Sequence, residues 1–127
     1  MRHTSLIALA ACMVLVGCDP ISHESVKLQL PGSAETDAVK TAIELISEVM
    51  TNAGFTQTRA SAYSNATIVA SFHGSGRLGC LVYQRSGHLE IVMQEMGRLK
   101  SRPEAIKARD DLKRRLSEKY GKEKVCE

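Results

Sequence analysis

The stretch Leu78-Gly79-Cys80-Leu81-Val82-Tyr83-Gln84-Arg85-Ser86-Gly87-His88-Leu89-Glu90-Ile91-Val92-Met93-Gln94-Glu95 decides the fold. Two runs rich in Leu, Val and Ile flank Ser86-Gly87, a two-residue turn signal, so the stretch reads as a β-hairpin. In its second arm Leu89, Ile91 and Met93 recur with period two, which places them on one face of a half-buried sheet. Upstream, Ala66 to His73 forms another strand, joined through the turn Gly74-Ser75-Gly76-Arg77. Before that, Phe55 to Tyr63 is a weaker strand rich in Thr and Ser, ending at the turn Ser64-Asn65. The middle of the chain is therefore an antiparallel meander.

A helix is expected on each side of it. Val39, Ala42, Ile43, Ile46, Val49, Met50 and Ala53 recur at spacings of three and four and make one apolar face. Thr36 or Ser33 can cap its start, Asp37 lies near the positive end of its dipole, and Gly54 followed by Phe55 supplies a left-handed stop. After the meander, Ser101-Arg102-Pro103-Glu104 matches a capping box with Pro in the first turn. Ala105, Ala108, Leu112 and Leu116 form a narrower stripe, continued by Tyr120 and stopped by Gly121. Two one-faced helices around such a sheet predict an α+β, two-layer sandwich of about four strands with both helices on one face. A ferredoxin-like β-α-β-β-α-β variant would also need Val26 to Leu30, which alternate with period two, as an edge strand, and some pairing from Val125 onwards.

The start of the chain has a different character. Met1-Arg2-His3 is followed by eleven apolar residues, Leu6 to Val16, and then by Gly17-Cys18. Eleven are too few to span a bilayer, which takes about 20, and the layout is that of a secretory signal. Leu15-Val16-Gly17-Cys18 resembles the lipobox of bacterial lipoproteins. The resemblance covers residues 1–18 only. It implies a type II signal peptide over 1–17, cleavage before Cys18, diacylation of the Cys18 sulfur, and anchorage in the cell envelope facing the periplasm. Asp19 resembles the residue that retains such proteins in the inner membrane. Residues 18–34, polar and carrying Pro20, Pro31 and Gly32, read as a lipidated tether, and 35–127 as a small α+β domain.

Of 127 residues, 17 are Lys or Arg and 14 Asp or Glu. The balance is uneven: residues 98–124 carry eleven basic and five acidic groups, while 19–97 carry five basic and eight acidic. Lys107, Lys113, Arg114, Arg115 and Lys119 thus form a candidate contact face on the second helix, suited to anionic headgroups or an acidic partner. With no Trp and two Phe, the chain lacks stacking residues for nucleic acid, and none is expected as partner.

Four cysteines occur. With Cys12 lost in the signal and Cys18 acylated, Cys80 and Cys126 are left to pair as a disulfide in an oxidising compartment. Closing that 47-residue loop would stabilise by about 4 kcal/mol in the chain-entropy treatment. Gly74-Ser75-Gly76-Arg77-Leu78-Gly79 matches G-x-G-x-x-G literally, but it leads into a strand and not a helix, so no dinucleotide site follows. His73 and His88 flank the hairpins, where they could approach each other or Cys80; no ligand spacing for a metal is present, and no cofactor is expected. No nucleophile elbow or carboxylate pair stands out. The expected role is that of a lipid-anchored binding module contacting another envelope protein. An immunity protein against a toxin delivered to the periplasm is the first alternative, and an enzyme acting on lipid or cell wall, which would need a concave pocket, the second.

Overall fold

The computed structural model describes residues 20–30, 36–58 and 68–127. The signal segment, Cys18, Asp19, Ser33 and the Ser64-Asn65 turn lie outside the described residues, as does the side chain of Thr36. The elements run β1 (Ile21–Gln29), α1 (Thr36–Asn52), β2 (Thr56–Thr58), β3 (Ile68–His73), β4 (Leu78–Arg85), β5 (His88–Met96), α2 (Pro103–Tyr120), a short 3₁₀ turn (Lys122–Lys124) and β6 (Val125–Cys126). The fold is α+β, with one open antiparallel sheet in the order β2-β3-β4-β5-β1-β6.

The hairpin falls where the sequence puts it, with Cys80 opposite Met93, Val82 opposite Ile91, and Gly87 at φ +81 in the turn. Period-two sidedness gives the sheet a dry face. Leu78, Cys80, Val82, Leu89, Ile91, Met93, Val26 and Leu28 are all buried, in one core with Ala42, Ile46 and Met50 of α1 and Ala108, Leu112 and Leu116 of α2. Burying one such Leu contributes roughly 2 kcal/mol. At the end of α1, Phe55 N–H donates to the Met50 carbonyl at 2.9 Å and Gly54 N–H to Thr51 at 3.0 Å. With Gly54 at φ +94 this is a Schellman stop, and Phe55 folds back into the core as expected.

Three expectations need correction. Among the described residues the sheet has six strands where about four were expected. The tether 18–34 is interrupted by β1, which pairs with β5 from Ile21–Met96 to Gln29–His88 and lies between β5 and β6; the folded domain therefore begins near residue 21. The capping box of α2 does not form. Arg102 occupies the cap position with no side-chain cap, Ser101 Oγ donates to Glu24 Oε2 at 2.6 Å, and Glu104 accepts from Ser75 Oγ at 2.9 Å.

Candidate functional site

The cysteines are held apart. Both are free thiols. Cys80 points to the dry face, whereas Cys126, opposite Lys27, points to the other face of the sheet and is exposed. Three strand spacings separate β4 from β6, which at about 4.8 Å each is some 14 Å, and a disulfide needs Cα atoms within about 7 Å. The expected Cys80–Cys126 link is therefore corrected. Cys80 is a buried core residue whose thiol is pushed up to about 12 by desolvation.

The basic residues of α2 do not make one face. Lys107, Lys113 and Lys119 are six residues apart, so they point about 120° from one another. Lys113 Nζ donates to Glu127 Oε1 at 2.9 Å, Arg114 lies 3.4 Å from Glu118 and 3.8 Å from Asp111, and Arg115 lies 3.4 Å from Glu48. Most of the charge is locally balanced. The Glu127 carboxyl is held below its usual range, first by the hydrogen bond from Lys113 and then by the charges of Lys113 and Arg109.

Sequence reasoning missed a polar network at the start of α2. Glu95, buried at the end of β5, accepts from Arg102 Nε at 2.7 Å. The same guanidinium donates from Nη1 to Ser75 Oγ at 3.0 Å and from Nη2 to the Ser75 carbonyl at 2.6 Å. Beside it, Glu24 of β1 accepts from Arg109 and Ser101. These bonds fasten α2, the β3–β4 turn and strands β1 and β5 at one end of the sheet. Apart from Glu95 and Arg102, seven residues apart, the partners are 27 to 85 residues apart, and no local pattern marks them.

The sheet face away from the helices carries a groove of about 480 Å³. Its floor is set by register: His73, Gly79 and Gln94 lie in one row, and Ser71, Leu81 and Val92 in the next. Gly79 leaves a gap between its neighbours, and a Cβ there would approach nothing closer than the Phe72 carbonyl at 3.9 Å. The glycine of the literal G-x-G-x-x-G match is thus a dip in a strand. Ser71 Oγ shares a 2.6 Å hydrogen bond with Thr58 Oγ1, so that hydroxyl is engaged by a threonine and not by a base. Arg77 rims the groove.

His73 and His88 do not meet. Their partners on β4, Gly79 and Arg85, are six residues apart, or about 20 Å along the strand. Among the described residues no three His, Cys, Asp or Glu side chains converge in a way that could hold a metal ion. No helix among them is long and apolar enough to cross a membrane. Compared with family models, curated proteins and solved structures, the chain has no match.

Proposed function

We propose that this chain is a lipid-anchored envelope protein, held by acyl groups on Cys18 and facing the periplasm, that binds another envelope protein through the groove on its helix-free sheet face. The groove carries the binding half of this reading: it pairs an apolar floor, Leu81 and Val92, with polar groups able to donate and accept, Gln94 and His73. The lipobox at Leu15 to Cys18 supports the anchored half. Asp19 favours the inner membrane. The scaffold is a ferredoxin-like arrangement whose central hairpin has grown to a four-strand meander, a reading supported by the position of β1 between β5 and β6.

The test is a photo-crosslinker at exposed Gln94, compared with one at Arg114 on α2. A discrete envelope-protein adduct at Gln94 is expected, lost when Gly79→Leu fills the groove. Equal adducts at both positions, or an adduct indifferent to Gly79→Leu, would overturn the groove as the binding surface.

A further inference from the structure

On the anchored reading, only Asp19 and Pro20 separate the acylated Cys18 from β1. β1 starts at Ile21, and the Pro20 carbonyl accepts a 2.7 Å hydrogen bond from Gly97 N–H in the turn after β5. Cys18 is two residues before Pro20, so its Cα lies within about 7 Å of the Pro20 Cα even when fully extended. Whatever holds Cys18 also holds this end of the sheet.

That end is unusually apolar and basic. Ile21 and Met96 are cross-strand partners, 55% and 52% exposed, and Leu99 in the adjoining turn is 87% exposed. Arg77, Arg98 and Lys100 surround them, and Arg77 Nη1 sits beside Gly97. Arg98 leans toward Glu95 at 3.8 Å, while Arg77 and Lys100 form no ion pair among the described residues. Glu104, an exposed carboxylate in the first turn of α2, is engaged by Ser75 and Arg102.

Resting on the anchored reading above, we infer that Ile21, Met96 and Leu99 insert into the headgroup boundary of an anionic phospholipid bilayer, with Arg77 and Lys100 against lipid phosphates. Apolar side chains beside cations are what an interfacial contact requires, and the acyl chains on Cys18 would confine this surface to the membrane at high effective concentration. The sheet then stands on its β1 start, and the Ser86-Gly87 turn points away, about 27 Å along β5. The groove, which reaches Met96, opens beside the bilayer.

The chain contains no Trp, so a single introduced Trp reports its own position. The full chain, expressed with its own signal, carries Leu99→Trp or Ser86→Trp and is reconstituted into phosphatidylethanolamine–phosphatidylglycerol vesicles with brominated acyl chains. Intact mass reads the acyl groups independently. Leu99→Trp should be blue-shifted and lose about half its emission or more, Ser86→Trp should be unquenched, and Arg77→Glu with Lys100→Glu should reduce quenching at Leu99→Trp without removing the lipid. An acylated chain with unquenched Leu99→Trp, or with equal quenching at both positions, overturns the docking and leaves this face to a protein occupant. A chain without acyl mass overturns the anchored reading itself.

Discussion

Removing Arg102, which occupies the cap position at the start of α2, should cost the fold a large part of its stability. Arg102→Ala leaves Glu95, whose side chain is only 8% exposed, with Arg98 at 3.8 Å as its remaining cation. Stripping one partner from a buried pair typically costs about 3–5 kcal/mol. Arg102 keeps 18% of its side chain in solvent and Arg98 can partly compensate, so about 2–3 kcal/mol is expected here. Loss of the two bonds to Ser75 also loosens the β3–β4 turn. With a urea m-value of about 1–1.5 kcal/mol/M for a domain this size, the midpoint should fall by roughly 2 M. The double variant Glu95→Leu with Arg102→Met should recover much of the loss, because it removes the buried carboxylate along with its partner. The assay is equilibrium urea unfolding followed by far-UV circular dichroism on all three variants and the parent. An Arg102→Ala shift below about 0.5 kcal/mol, or a double variant no better than the single, would refute the assignment of Glu95 and Arg102 as the fastening of this end.

Three predictions concern the cysteines and Glu127. At neutral pH a thiol reagent should modify Cys126 rapidly and Cys80 only on unfolding; failure to modify Cys126 until reductant is added would restore the disulfide. Because the folded Cys80 pKa is raised from 9.0 to about 12, its contribution is complete below about pH 9 and is lost as pH rises toward 12, up to about 4 kcal/mol. Stability should therefore fall along that alkaline limb, and Cys80→Ala should flatten it. The Glu127 carboxyl, depressed by Lys113 and Arg109, stabilises the fold above its unfolded pKa and ceases to do so as pH falls through its folded one. A carbon-13 titration should place its midpoint below that of an unstructured Glu, and Lys113→Ala should raise it; an unchanged midpoint would contradict the contact.

Elements whose apolar residues follow a clean period were legible in the sequence. The β4–β5 hairpin and both helix stripes, down to Leu112 and Leu116, follow from spacing alone. β1 was legible only in its second half, where Val26, Leu28 and Leu30 alternate; its first half was not, because Ser22 and Glu24 fill inward positions where apolar residues would mark a strand. Glu24 is accommodated there by Ser101 and Arg109, 77 and 85 residues away. The same kind of long-range bonding defeated the capping box, since Ser101 and Glu104 serve tertiary partners. Pairing Cys80 with Cys126 by elimination counted thiols but not faces, and the face of Cys126 depends on its register with Lys27. The groove was hidden because the dip at Gly79 takes shape only once its row-mates on β3 and β5 are known.

Acylation of Cys18 is the claim on which the proposed role turns. Labelled palmitate fed to cells expressing the full chain should appear on a product whose mass begins at Cys18, and Cys18→Ala should carry no label and leave membranes. A labelled Cys18→Ala chain, or an unlabelled parent cleaved elsewhere, would contradict it.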